Sequence, residues 1–173
     1  GTAYAVMEHH AGETLAQRLA AKGKLSEQEL RDLAEPLMGG LHLMHGAGLV
    51  HRDIRPENII LKEDGGALLT GFAITPTELV ERRQTAQAMM ASGYAALELH
   101  SSKGNRGPAS DIYSLGAVLY RGVTGSPPPA SLERAMSDDM IPASTAAEGK
   151  AGKPFLAAID TALSVKSEGR PTD

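Results

Sequence analysis

The sequence contains no cysteine and no tryptophan, and aromatic residues make up only 3% of its 173 positions. Without cysteine the chain has no disulfide, no thiolate metal ligand and no cysteine nucleophile, which fits a reducing compartment. We therefore expect a cytoplasmic protein. Because aromatic side chains are scarce, Leu, Ala, Ile, Val and Met must fill the core.

Long apolar runs and an excess of positive charge are also missing. No run approaches the roughly 18 to 20 residues that cross a bilayer, and no signal peptide opens the chain. The 17 Lys and Arg residues are scattered, and the net charge is −4. Such a chain has no long-range attraction for nucleic acid or anionic lipid. We expect no nucleic-acid partner and no membrane segment within these residues.

Helical periodicity dominates what is present. Apolar residues recur every three or four positions over Glu13 to Ala21 and again over Ser26 to His45. The second of these predicted helices starts with Ser26 and has Glu29 three positions later, which is the pattern of a capping box. Both segments are therefore predicted to be helices.

Two further helices are predicted later in the chain. One runs from Ser110 to Gly125, is apolar on most sides and begins with a Ser/Asp cap, and the other covers residues 154–165. Residues 126–150 indicate a loop with one short helix, and residues 75–95 a flexible segment with a helix inside it. The fold class is mainly α.

A small β-hairpin is predicted between the second and third helices. The runs NIILK and ALLTGF have strand length and are separated by an acidic, Gly-rich turn. The loop from His51 to Asn58 therefore lies between a long helix and this hairpin.

Five short motifs occur in a fixed order: HRDIRPEN, GFA, SGYAALE, SDIYSLG and GRP. Together they resemble the C-terminal lobe of a bacterial-type (Hanks-type) Ser/Thr protein kinase, whereas a lone His-Arg-Asp would be weak evidence. The resemblance implies a hinge-like strand and linker at residues 1–12 and the C-lobe at residues 13–173. It also implies that the N-terminal lobe is absent and the final helix truncated.

The resemblance gives the loop residues their expected roles. Asp53 matches the catalytic aspartate, Arg55 the lysine that touches the transferring phosphate, and Asn58 a magnesium ligand. The chain departs from the family at Gly71, thirteen residues after Asn58, where an aspartate should bind the metal. Ala91 replaces a supporting threonine. These departures predict a pseudokinase.

A nucleotide would contact five residues by the same resemblance: Met7, Glu8, His10, Glu13 and Ile60. We expect ATP and Mg²⁺ to bind weakly or not at all in the full-length protein, and neither in this chain. From the residues alone, Glu13 could equally be a first-turn glutamate favoured by the helix dipole. Asp53 and Asn58 could likewise be ordinary loop residues that cap local N–H groups.

Several scaffold contacts are implied as well. Asp111 should accept the backbone N–H groups of the His51–Arg52 turn, and Glu98 should pair with Arg170. His51 should also stack on Phe72.

Two histidines lie close together near the end of the second predicted helix. His42 and His45 are three apart on a helix, which could suggest a metal site, but surface or helix-end histidines are the favoured interpretation because no third ligand is in view.

Three functions remain open. The leading hypothesis is a pseudokinase that acts in signalling by binding a protein partner. The alternatives are an active Ser/Thr kinase and a small-molecule phosphotransferase, against which HRD and SDIYSLG argue. If the N-terminal lobe is absent, an apolar cleft formed by Val6, Met7, Ile60 and Phe72 would favour self-association.

Overall fold

Helices make up most of the regular secondary structure of the described residues. The computed structural model describes residues 10–62, 65–71, 93–101, 104 and 106–171. Within these residues the elements are β1 (Glu13–Thr14), α1 (Leu15–Lys22), α2 (Glu27–Gly46), β2 (Ile59–Leu61), β3 (Ala67–Leu69), α3 (Pro108–Thr124), α4 (Ser131–Met136), α5 (Ala143–Ala146) and α6 (Lys153–Ala162). Short 3₁₀ turns lie at Pro56–Asn58, Leu97–His100 and Ser167–Gly169.

Helix α3 is the centre of the core. Twelve of its 17 residues are buried, and it packs against α2 on one side and α6 on the other. A Cβ atom on Gly122 would lie 2.4 Å from Cδ2 of Leu30, so this glycine allows α2 to approach closely. The helix ends at Gly125, which adopts a left-handed conformation. The prediction of a buried helix is confirmed.

Helix α2 presents one leucine-rich face to this core. Leu30, Leu33, Leu37 and Leu41 are all buried. The predicted capping box is present, because Ser26 Oγ accepts the Glu29 N–H at 3.3 Å and the Glu29 carboxylate accepts the Ser26 N–H at 2.9 Å. The spacing of apolar residues and the cap both defined this helix correctly.

The predicted hairpin is present as β2 and β3, which pair antiparallel, and β1 adds a third strand beside β2. The expectation that Glu13 opens a helix is wrong. Glu13 pairs with Leu61 in the sheet, and Thr14 is the N-cap of α1, with its side chain accepting from the Gln17 N–H. The helix therefore begins two residues later than predicted.

Two other boundary predictions are corrected. Ser110 and Asp111 do not cap α3, since the N-cap is Gly107 and Pro108 occupies the first turn, where its missing N–H costs nothing. Residues 126–150 contain two short helices rather than one. The segment predicted at 75–95 lies outside the described residues except at its last three positions. Within the described part of the chain, no helix combines the length and apolarity needed to cross a membrane.

Candidate functional site

The loop at residues 51–58 connects α2 to the sheet and is anchored by buried apolar groups. Ile54 and Pro56 point into the core, with Ile54 only 1% exposed. The Asn58 N–H donates to the Arg55 carbonyl at 2.9 Å, which closes the short 3₁₀ turn before β2. Polar side chains between these anchors are therefore held on a short, fixed stretch of backbone.

The Asp111 side chain of helix α3 holds the start of this loop in place by hydrogen bonds. Its carboxylate is fully buried and accepts the backbone N–H groups of His51 at 2.9 Å and Arg52 at 2.8 Å. Arg52 has a φ of +67°, a conformation that costs about 1–2 kcal/mol for a residue with a Cβ. The two charge-assisted hydrogen bonds offset this cost and fix the direction in which Asp53 leaves the turn. The predicted contact is confirmed.

His45 is a third partner of Asp111 that sequence reasoning missed. Its Nε2 lies 2.8 Å from Oδ2 of Asp111, and its side chain is only 11% exposed. His45 is a helix-end histidine as interpreted, in the last turn of α2, but it is not a surface residue, whereas His42 is exposed. No metal cluster involves either residue within the part of the chain that the structure describes.

His51 is a buried neutral imidazole. Its Nε2 lies 3.0 Å from the Thr70 carbonyl, and its Nδ1 accepts the Asp53 N–H at 3.2 Å. Burial lowers the pKa of His51, although Asp111 and the Thr70 carbonyl oppose this effect. The His51 ring therefore links the loop at residues 51–58 to Thr70, the residue that follows β3. Its predicted partner Phe72 lies outside the described residues.

Asp53 and Asn58 come together as the resemblance implies. The Asn58 Nδ2 donates to the backbone oxygen of Asp53 and to its Oδ2, both at 2.8 Å. Both side chains are partly buried. Asp53 thus has an orienting donor across the loop, and both the catalytic and the ordinary-loop interpretations of these two residues stay predictions.

The Arg55 side chain is held by its neighbour Glu57. Its Nε donates to Glu57 Oε2 at 2.7 Å. This hydrogen bond is the main reason that the pKa of Arg55 is raised and that of Glu57 lowered. Arg55 therefore keeps its positive charge, and its guanidinium points towards Glu57.

Gly71 faces Asn58 across the site. A Cβ atom on Gly71 would lie 2.7 Å from Asn58 Oδ1. Glycine offers no side-chain oxygen, and no three His, Asp or Glu side chains converge within the described residues. Because Mg²⁺ prefers several oxygen ligands including carboxylates, the residues present do not fit the metal that the fold family implies.

The residues expected to contact a nucleotide are only partly described. Glu13 forms an ion pair with Arg18, which engages its carboxylate next to α1. Ile60 is half-buried in β2, and His10, which precedes β1, is also half-buried. Met7 and Glu8 lie outside the described residues, as do Val6 and Ala91. The predicted nucleotide contacts and the predicted apolar cleft therefore stay predictions.

Glu98 and Arg170 form a buried ion pair at the start of α3. Arg170 Nη1 lies 2.6 Å from Glu98 Oε1, and Ser110 Oγ donates to the same oxygen at 2.7 Å. Burial alone would raise the pKa of Glu98, but the hydrogen bonds from Arg170 and Ser110 outweigh it and hold the pKa below its usual range. This prediction is confirmed.

Comparisons with known proteins agree with the motifs. Residues 1–170 match the family model of the protein kinase domain. The chain is 39% identical over 128 residues to serine/threonine-protein kinase PknA of Mycobacterium tuberculosis, covering 73% of this chain and 30% of PknA. It is 36% identical over 119 residues to CBL-interacting protein kinase 17 of Oryza sativa, covering 68% of this chain and 26% of that protein.

A solved structure shows the same fold. The chain matches the structure titled "PpkA-294 apo form" with a TM-score of 0.84 and 31% sequence identity, over 95% of this chain and 58% of that chain. Each sequence alignment spans less than a third of the curated relative.

Proposed function

This chain belongs to the protein kinase family, and we propose that it is the C-lobe of a pseudokinase that acts in signalling by binding a protein partner. The observation that carries the proposal is Gly71. It stands opposite Asn58, where the family places the carboxylate that binds the metal on the phosphates, and it supplies no ligand. ATP and Mg²⁺ binding is expected to be weak or absent.

Loss of a group that stabilises charge in the transition state strongly slows a reaction. Removing one such element typically raises the barrier by about 3 kcal/mol or more, which corresponds to a rate loss of more than a hundredfold. The scaffold contacts of Asp111 and of Glu98 with Arg170 are kept at the same time. A protein under selection for a folded surface rather than for phosphoryl transfer would retain this combination.

An active Ser/Thr kinase is the second candidate. It is favoured by the retained pair of Asp53 and Asn58, which is hydrogen-bonded and oriented. It is also favoured by the relatives, because PknA and the rice protein are both named as protein kinases. In this case Asp53 would accept the proton of the attacking hydroxyl, and the lost carboxylate would have to be replaced from elsewhere.

Phosphate incorporation from ATP in the full-length protein decides between the two. The wild type and Asp53→Asn should incorporate equal, background amounts of phosphate, and Mg²⁺ should not change any thermal shift caused by ATP. If the wild type labels itself or a substrate and Asp53→Asn does not, the pseudokinase proposal is wrong.

Partner binding is tested by complementation in the organism that carries the gene. Asp53→Asn should restore the phenotype of a deletion as well as the wild type does, because the proposed role needs the fold and not the chemistry. A variant that breaks the buried Glu98–Arg170 pair should fail. Loss of complementation with Asp53→Asn at normal protein level would contradict this role.

A further inference from the structure

The segment at residues 93–100 packs against the start of helix α4. Gly93 has a φ of +77°, and a Cβ atom on it would collide with the Pro128 carbonyl oxygen, so the two backbones touch here. Ala96 in the segment and Ser131 in the helix are both fully buried. The segment therefore meets α4 through a closely packed contact and not across solvent.

Ser131, the first residue of α4, joins two parts of this segment through its hydroxyl group. Its Oγ donates to the Ala95 carbonyl at 2.7 Å and lies 3.2 Å from Nε2 of His100. A hydroxyl has one proton, and the shorter contact takes it because a carbonyl can only accept. Only the lone pairs of Oγ are then left for His100. The neutral imidazole must therefore carry its proton on Nε2.

A second proton on His100 would add at the other ring nitrogen, Nδ1. Among the described residues Nδ1 has no hydrogen-bond acceptor, and the side chain is half-buried. A charge at this position would lose hydration without gaining a partner. Burial accordingly lowers the pKa of His100, and Glu98 opposes this effect. The packed contact therefore favours the neutral ring.

The titratable groups of the segment itself do not offer His100 a free acceptor. The Glu98 carboxylate already accepts from Arg170 Nη1 at 2.6 Å and from Ser110 Oγ at 2.7 Å. Burial raises the pKa of Tyr94 to about 12, so its phenol stays neutral near physiological pH. Protonation of His100 is thus opposed by burial, and its nearest anion is committed to another cation.

The charged groups of the neighbouring elements are engaged or exposed as well. On α4, Arg134 donates to both carboxylate oxygens of Asp138, at 2.8 and 3.0 Å, and Glu133 is exposed. In the loop that follows the segment, Arg106 donates to a backbone carbonyl at 2.9 Å. Within the described residues no group of these elements would hold a charged imidazole in place.

We propose that Ser131 and His100 form an acid-sensitive contact, which holds residues 93–100 on α4 while His100 is neutral and weakens when Nδ1 takes up a proton. A released imidazole has an ordinary pKa of about 6.5, so the released state binds the proton first as the pH falls below that value. The contact is therefore strongest above about pH 6.5 and weakens as the pH falls towards the lowered pKa of the packed ring. This regulatory device goes beyond the proposed function and involves neither a nucleotide nor Gly71.

Nuclear magnetic resonance of the ring nitrogens tests the contact in the full-length protein with isotope-labelled histidine. The His100 signals are identified by their loss in His100→Gln. At about pH 7.5 they should show a proton on Nε2 and none on Nδ1, and their titration midpoint should lie below that of the exposed His42. A proton on Nδ1 at this pH, or a midpoint at or above that of His42, would overturn the proposal.

Amide hydrogen exchange measures the release of the segment. The Leu99 N–H donates to the Ala96 carbonyl at 3.0 Å, and the Ala147 N–H in α5, a helix without histidine, is the reference. Between pH 7.5 and pH 5.5 the protection of Leu99 relative to Ala147 should fall by about threefold or more. In His100→Gln, whose amide can donate to Ser131 but does not titrate, the ratio should stay constant. Equal changes in the two proteins, or none in the wild type, would refute the acid-sensitive contact.

Ser131→Ala removes the hydroxyl group, and the His100 midpoint should then move towards that of His42. Ser114→Ala is the matched control, because it removes an equally buried hydroxyl that donates at 3.0 Å within α3, and it should leave the midpoint unchanged. Identical midpoints in wild type and Ser131→Ala would contradict the role of Ser131. If Ser131→Ala does not fold, the wild type and His100→Gln decide. None of these measurements uses phosphoryl transfer, so this inference and the proposed function can fail independently.

Discussion

The two sides of the loop at residues 51–58 differ in how they are supported. Beneath the loop, the buried Asp111 carboxylate accepts from two backbone N–H groups and lies 2.8 Å from His45. On the opposite side, Gly71 offers no side chain, and Asn58 Nδ2 donates to Asp53 Oδ2 at 2.8 Å. The first side therefore depends on a fully buried carboxylate, whereas the second is formed by partly buried polar side chains of the loop.

The buried pair of Glu98 and Arg170 should give the largest loss of stability. Arg170→Ala removes a guanidinium whose side chain is fully buried and leaves Glu98 without its cation. The Ala109, Ser164 and Val165 carbonyls also lose their donor. Breaking such a pair from one side costs about 3–5 kcal/mol. Urea denaturation of the chain measures the change.

Lys22→Ala is the matched control for this experiment. It also removes a cation from a glutamate, since Lys22 Nζ lies 2.7 Å from Glu29 Oε1, but its side chain is 50% exposed. The cost should stay within about 1 kcal/mol. Equal losses for the two variants would show that burial of Arg170 does not matter as argued.

Asp111→Asn should be the next most damaging change. An amide has one oxygen, so its NH₂ group would face either the Arg52 N–H or both the His51 N–H and His45, and at least one donor would be left unpaired. We expect a loss of about 2–3 kcal/mol. Asp160→Asn is the control, because Asp160 also accepts two backbone N–H groups, at 2.6 and 3.1 Å, but at a more exposed site. A smaller effect at 111 than at 160 would contradict the prediction.

His45 should contribute less than either, since it adds one hydrogen bond to a carboxylate that already accepts two. His45→Ala is expected to cost about 1–2 kcal/mol, and His42→Ala, at an exposed position of the same helix, within about 0.5 kcal/mol. Thermal unfolding of the two variants side by side checks this. If they unfold at the same temperature, the contact between His45 and Asp111 is not stabilising.

The sequence predicted the helices, the hairpin and the Asp111 and Glu98 contacts because each depends on a local pattern or on a motif with fixed spacing. It failed where tertiary contacts decide. Glu13 was assigned to a helix because strand β1 exists only through pairing with β2, more than 40 residues later. His45 was assigned to the surface or the helix end, and its contact with Asp111 was missed because helical spacing does not tell which side chain meets Asp111.

The close contact between Asn58 and Gly71 was also beyond sequence reasoning. The absence of a side chain at Gly71 could be read from the motif, but the approach of the Asn58 carboxamide to this glycine could not. That approach depends on the φ of +78° at Gly71 and on the backbone hydrogen bonds that hold Asn58 in place. Side-chain positions of this kind require coordinates.

The ion pair of Arg55 and Glu57 repeats the chemistry of Glu98 and Arg170 at an exposed site, and its effect should be the smallest. Glu57 has a lowered pKa, first because of the hydrogen bond from Arg55. Since the folded pKa lies below the unfolded value of about 4.3, the pair stabilises fully above that pH, and its contribution disappears as the pH falls through the lowered pKa.

The Glu57 side chain is 52% exposed, so Glu57→Gln should cost less than about 1 kcal/mol at pH 7. The difference from wild type should shrink towards zero below pH 3 and fall with added salt. Denaturation curves at pH 7 and pH 3, each at two salt concentrations, measure it. A loss as large as that of Arg170→Ala would mean that the loop depends on this pair, and the contrast between a well-supported base and an exposed upper side would no longer hold.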